Sequence, residues 1–233
     1  MYLIGDIGNT EIKVCLVNYN NKIIKRLNFS NSNLSLLKLK KNFDKFEKYF
    51  PKIKKILFCS VVPKSFNLIK KFLSKKIKKK CYEVKELKLR SLINIKVNFK
   101  QVGSDRLTNA ISLLNNRDNF IILDFGTATT FDVITQKTYR GGIIAPGINL
   151  SIKSLSISAD QIPIFSLKTQ KKTIGKNTIE ALRSGFYWGY SGLINNIILK
   201  IEKETKKKYK IIFTGGYAEL FKTSIIRPFK IDR

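Results

Sequence analysis

The sequence predicts an α/β fold of two similar lobes, and three observations carry that prediction. Strand-like runs and helix-like runs share the whole chain, with no low-complexity linker between them. A strand, an Asp-x-Gly turn and a second strand occur twice, around Asp6-Ile7-Gly8-Asn9-Thr10 and around Asp124-Phe125-Gly126-Thr127. The two aspartates stand half a chain apart, which suggests lobes of residues 1–116 and 117–233.

Each element has its own signal. Leu3-Ile4-Gly5 and Ile12–Val17 read as the arms of the first hairpin, with β-branched and apolar residues flanking a Gly-bearing break. Lys22–Phe29 reads as a third strand. Leu34–Phe50 reads as a helix, with Leu34, Leu37, Lys41 and Phe43 only loosely periodic. Ile53–Val62 reads as a strand stopped by Pro63, and Ser65–Ile77 as a helix with apolar Phe66, Ile69, Phe72, Leu73 and Ile77. Asp105–Leu114 is a further helix. In the second lobe, Ile121-Ile122-Leu123 and Thr129–Ile134 form the second hairpin, and Tyr139–Ala145 a strand ended by Pro146. Thr178–Glu204 is the longest helix, turning Leu182, Phe186, Leu193, Ile197 and Ile201 toward a core. Lys210–Phe213 is a strand running into Gly215-Gly216, with a short helix expected beyond.

Composition narrows the chemistry. At 43% hydrophobic with 16 Phe, the chain can bury a core and is not a disordered tract. No apolar run reaches the roughly 18 residues that cross a bilayer, and Met1–Val17 has no basic start before an apolar core. No membrane association and a cytoplasmic location are therefore expected. Cys15, Cys59 and Cys81 lie far apart and are odd in number, so no disulfide framework is expected. Histidine is absent, which excludes a Ser-His-Asp triad, a His-based zinc site and a His general base. Any acid–base catalyst must then be a carboxylate, Lys, Tyr or Cys.

The net charge of +29 has two readings. One is a nucleic-acid surface, as in a basic DNA-binding or regulatory protein. The other is lysine spread over solvated positions. Lys75–Lys80 and Lys203–Lys210 sit near helix ends and loops without interleaved aromatics, which favours the second reading and no nucleic-acid partner. The field would still help to capture anions such as ATP.

Neither a G-x-x-x-x-G-K-[ST] run nor a G-x-G-x-x-G run is present. Phosphate handling falls instead to the two hairpin turns, whose Gly, Asn and Thr expose backbone N–H groups and hydroxyls. Asp6 beside the first turn can hold magnesium, directly or through water. The two hairpins are expected to face one cleft and grip a nucleotide's phosphates from both sides. Gly215 and Gly216 would let a base or ribose approach, since glycine has no Cβ to collide. One such turn alone is an ordinary hairpin; two in register, followed by Thr129-Thr130 and Thr214-Gly215-Gly216, point to a nucleotide site. Gly103-Ser104-Asp105-Arg106 reads either as a helix start with Ser104 as cap, or as a general base, Asp105, with Arg106 beside it for an anionic group. Gly141–Gly147 is a strand end and turn, or a rigid wall against substrate. Gly175-Lys176-Asn177-Thr178 is a helix start, capped by Asn177 or Thr178.

Seven motifs occur in the order found in one kinase family: Asp6-x-Gly8-Asn9-Thr10, Ser60-Val61-Val62-Pro63, Gly103-x-Asp105-Arg106, Asp124-x-Gly126-Thr127-Ala128-Thr129-Thr130, Gly141-Gly142-x-Ile144-x-Pro146-Gly147, Gly175–Thr178 and Thr214-Gly215-Gly216. The chain thus resembles the type III pantothenate kinases over nearly its whole length. The resemblance implies two duplicated ribonuclease-H-like lobes of the actin–hexokinase type. It implies transfer of the ATP γ-phosphoryl group to the hydroxyl of pantothenate, the first step of coenzyme A synthesis. By the same resemblance Asp6, Ile7, Gly8, Asn9, Thr10, Glu11, Ile12 and Lys13 form a phosphate loop, and Thr127 contacts ATP. Asp105 accepts the proton. Gly103, Ser104, Asp105, Arg106 and Thr178 contact pantothenate. Asp124 is a ligand of potassium or ammonium, and the protein is a homodimer. A kinase of the same fold with another small substrate is the nearest alternative. The chain departs from the family in Lys96–Val102, which has neither the usual Tyr nor Pro. It also ends at Asp232-Arg233, where the family continues, so a shortened C-terminus is expected.

Overall fold

A computed structural model describes residues 1–115 and 117–232. The chain forms two units, Met1–Ile93 with Asn98–Ser112, and Asn94–Val97 with Leu113–Arg233. The lobe boundary expected at residue 116 falls outside the described residues.

In the first unit, β1 (Tyr2–Ile7) and β2 (Glu11–Val17) make the first hairpin. Ile12, Val14 and Leu16 are buried while Glu11 and Lys13 face solvent, the alternation of a strand with one covered face. β3 (Ile23–Ser30) continues the antiparallel run, and β4 (Lys55–Ser60) and β5 (Cys81–Glu83) extend the sheet in parallel on the other side of β1. The order is β3-β2-β1-β4-β5. The helix expected over Leu34–Phe50 divides: α1 spans Leu36–Phe43 and a 3-10 helix spans Asp44–Lys52. Pro51 lies inside the second segment, where its missing N–H and its restriction of Phe50 disfavour α-helix at that end. The buried side chains are Leu39, Phe43, Phe46 and Phe50, whereas Leu37 is 79% exposed. α2 (Pro63–Ile77) starts on Pro63, where the missing N–H is lost to no helical bond. It buries Phe66, Ile69, Leu73 and Ile77 in the core shared with β1, β2 and β4. α3 (Ser104–Ser112) buries Leu107 and Ala110.

The second unit repeats the pattern. β7 (Asn119–Phe125), β8 (Ala128–Thr135) and β9 (Thr138–Pro146) run antiparallel; β10 (Lys210–Gly215) and β11 (Phe229–Ile231) add in parallel beside β7. The order β9-β8-β7-β10-β11 is that of the first sheet, strand for strand and direction for direction, with β6 (Asn94–Ile95) added parallel to β9. β7 buries Phe120 to Leu123 without interruption, as a strand covered on both faces does. α4 (Ile148–Ser158) and α5 (Thr178–Thr205) lie between β9 and β10 in the chain. α5 is capped by Asn177, whose side chain accepts from Glu180 N–H at 2.9 Å, while Glu180 accepts from Lys176 N–H at 2.9 Å. The short helix expected after Gly216 is a run of separate turns over residues 216–224, closed by bonds such as Leu220 N–H to Tyr217 O and Ser224 N–H to Phe221 O. No helix among the described residues is long and apolar enough to cross a membrane.

Candidate active site

In the first unit, three motifs meet where parallel β1 and β4 end, the edge of an α/β sheet at which ligands bind. Val61 N–H donates to Ile7 O at 3.1 Å, so the Ser60–Pro63 stretch continues the β1–β4 ladder. The Ser60 hydroxyl braces its own turn, accepting from Val62 N–H at 3.2 Å and donating to Val62 O at 3.3 Å. Ser104 joins α3 to this turn. Its hydroxyl donates to Ser60 O at 2.7 Å and accepts from Ser60 N–H at 2.9 Å and from the Cys59 thiol at 3.6 Å. That uses its one donor and both lone pairs, and Ser104 is 1% exposed. The hydroxyl expected to cap α3 or touch substrate is thus occupied in fixing α3 to β4.

Asp105, the expected base, is half-buried and accepts from the Arg106 N–H at 2.8 Å. Gly103 precedes it for a steric reason: a Cβ there would collide with Asp105 Oδ1 and lie 3.6 Å from Val61 Cγ1. Cys59 reports how the carboxylates converge. Burial pushes its thiol up to about 12, and Asp6 and Asp105 push in the same direction with their negative charge, against the Ser104 hydrogen bond. Asp6 and Cys59 are direct register partners on β1 and β4. The stretch before Gly103 that lacks the family's Tyr and Pro is held by Lys85, whose Nζ donates to Val102 O at 2.9 Å and sits 5.1 Å over the Phe99 ring.

The first hairpin, expected to bind phosphate, divides by face. Asp6, Asn9, Thr10, Glu11 and Lys13 are exposed, whereas Ile7 and Ile12 are fully buried, so those two can offer a ligand only backbone. The turn closes with Gly8 N–H on Glu11 O at 3.0 Å. Sequence reasoning missed Asn31, which holds this turn from beneath; a polar residue inside Ser30-Asn31-Ser32-Asn33 gives no local sign of it. Among the described residues no group of three or more His, Cys, Asp or Glu is placed to hold a metal. One exposed carboxylate such as Asp6 suits magnesium, which takes many of its oxygens from phosphate and water.

The second unit gathers its own motifs. Asp124 pairs in register with Thr130 on β8 and Thr214 on β10. Gly215 lies directly against it: φ is +87°, and a Cβ would stand 2.6 Å from Phe125 N and O and 2.7 Å from Asp124 Oδ1. Gly147 is pressed onto the other hairpin loop, where a Cβ would collide with Thr127 O and lie 3.0 Å from Gly126 O. Thr127 itself is exposed. Two motifs far apart in sequence share one cavity of about 950 Å³, lined by Pro146, Gly175 and Thr178 with apolar Leu155, Phe186 and Leu193. Tyr190 ties its wall together, meeting Ser151 Oγ at 2.8 Å and donating to Pro146 O at 3.2 Å.

Residues 2–200 match a family model described as Type III pantothenate kinase. A protein of that name from Pelagibacter ubique (strain HTCC1062) is 58% identical over 233 residues, which cover 97% of this chain and 91% of the relative. A crystal structure from Campylobacter jejuni, described as a Baf family transcriptional activator, is 20% identical with a TM-score of 0.62, covering 99% of this chain and 91% of that one. A Sinorhizobium meliloti structure described as a 2-dehydro-3-deoxygalactonokinase also gives 0.62, at 8% identity, over 100% of this chain and 93% of that one. Both structures speak to the fold alone.

Proposed function

The chain belongs to the type III pantothenate kinase family, and from that premise we infer that it transfers the γ-phosphoryl group of ATP to the hydroxyl of pantothenate, yielding 4′-phosphopantothenate at the start of coenzyme A biosynthesis. Its fold is of the actin–hexokinase type, with a ribonuclease-H-like strand order present twice. The observation that carries the reading is the family match over residues 2–200.

In this reading Asp105 accepts the proton of the pantothenate hydroxyl as that oxygen bonds to the γ-phosphorus and the bond to the β–γ bridging oxygen breaks, releasing ADP. Phosphoryl transfer draws mainly on positioning and charge neutralisation, which gives the rigid Ser60–Ser104 junction its use: it fixes where α3 aims the carboxylate. Asp6–Lys13 receives the ATP phosphates, through backbone at Ile7 and Ile12. Thr127, Gly215 and Gly216 contact the nucleotide. Gly103, Ser104, Arg106 and Thr178 shape the pantothenate subsite, Ser104 by its backbone. Asp6 would hold magnesium, which would neutralise phosphate charge when bound, and Asp124 would hold potassium or ammonium.

The protein is read as a cytoplasmic homodimer with no nucleic-acid or membrane partner. The test is ATP-dependent turnover of pantothenate in potassium, ammonium and sodium salts at matched ionic strength. Turnover is expected, faster in potassium or ammonium than in sodium. No turnover in any salt would remove the activity, and equal rates in all three would remove the role of Asp124.

A further inference from the structure

We infer that Asn31 is a positioning residue that sets the polarity of the phosphate hairpin, an inference that rests on reading Asp6–Lys13 as the ATP phosphate loop. Asn31 follows β3 and is 8% exposed. Its Nδ2 donates to Gly8 O at 2.7 Å, its backbone N–H donates to Thr10 O at 2.9 Å, and its Oδ1 accepts from the Ser65 hydroxyl at 2.7 Å. A carbonyl can only accept, so the amide must present its NH₂ to Gly8. Ser65, near the start of α2, holds the other end of the amide and fixes its plane.

The consequence follows from peptide geometry. The C=O and N–H of a trans peptide point in opposite directions, and no peptide in the described chain is cis. With Gly8 O drawn inward to Asn31, the N–H of Asn9 in the same peptide faces away from Asn31, on the exposed side of the turn. An outward N–H attracts an anion; an outward carbonyl repels it. Gly8 lacks a Cβ, so this peptide can rotate with little steric resistance. Asn31 is what holds it in the anion-binding sense.

Three variants test this by MgATP binding, steady-state kinetics and thermal stability. Asn31→Asp keeps the shape but sets a second acceptor against Gly8 O, and Asn31→Ala removes the bond; an unpaired buried carbonyl is costly. Each is expected to weaken MgATP binding, measured calorimetrically without pantothenate, and to raise the KM for ATP by about tenfold or more. The KM for pantothenate should move less than about twofold. Ser65→Ala, which disturbs packing less, should shift ATP affinity the same way by a smaller factor and stands in if either Asn31 variant does not fold. Variants with lower thermal stability but native MgATP affinity would overturn the inference and leave the kinase reading intact. A wild-type protein that binds no MgATP would instead overturn that reading, and the inference with it.

Discussion

Replacing Asp105 by asparagine is expected to lower pantothenate turnover by at least about 10²-fold, with MgATP affinity and melting temperature near wild type. Asn keeps the shape and one acceptor oxygen for the Arg106 N–H, now at 2.8 Å from Oδ1, but cannot take a proton. The adjoining structure does not lean on the carboxylate: α3 is secured through Ser104 and through Leu107 and Ala110 in its buried face. A role confined to the helix start would give the opposite profile, a modest kinetic loss, since Asn also suits a helix N-terminus. A stable variant with near-native turnover would remove Asp105 from the mechanism.

The second large effect is expected at Gly215. Alanine there must adopt φ near +87° and place a methyl group 2.6 Å from Phe125 N and O, at the last pair of the β7–β10 ladder. Left-handed strain and overpacking together are worth about 2–5 kcal/mol, a fall in Tm on the order of 10 °C for a chain of this size. The methyl group also meets Asp124 Oδ1, so any potassium stimulation should weaken with it. Gly216→Ala is the control: a Cβ at Gly216 meets nothing within 4 Å and should change stability by less than about 0.5 kcal/mol. Calorimetry on the pair, with turnover against potassium concentration, separates the two positions. Equal melting temperatures would show that the close approach at Gly215 carries no energy.

The contrast between adjacent glycines bears on what could be read from residues alone. The repeated Asp-x-Gly hairpins were legible because a hairpin is local, and they led to a duplicated strand order that the two sheets display. Asn177 marked a helix start for an equally local reason, whereas Pro63, read as the stop of a strand with the helix beginning at Ser65, is itself the first residue of α2. The three-residue strands β5 and β11 left no pattern, since their place is decided by parallel neighbours distant in the chain. α4 was overlooked because Gly147 and Pro146 read as the end of structure, whereas Gly147 is the N-cap of a helix. In the site, Asp105 stood out by its motif. The work of Ser104 did not, because its partner Ser60 lies 44 positions away. Asn31 was invisible likewise, being 23 positions from Gly8 and 34 from Ser65.

The thiol packed beneath Ser104 has a consequence for how such an enzyme meets oxidative stress. Oxidants and alkylating agents attack the thiolate. Burial raises Cys59 to about 12, so the thiol form dominates there at neutral pH. Cys81, also buried and raised to about 12, is equally inert. The half-buried Cys15 is on β2, where it pairs with Ile4 and Arg26 rather than with the loop residues. A sulfur set between two acidic groups at the heart of the first unit is thereby kept out of redox chemistry, and phosphate transfer can proceed unaltered while the thiol balance around it changes.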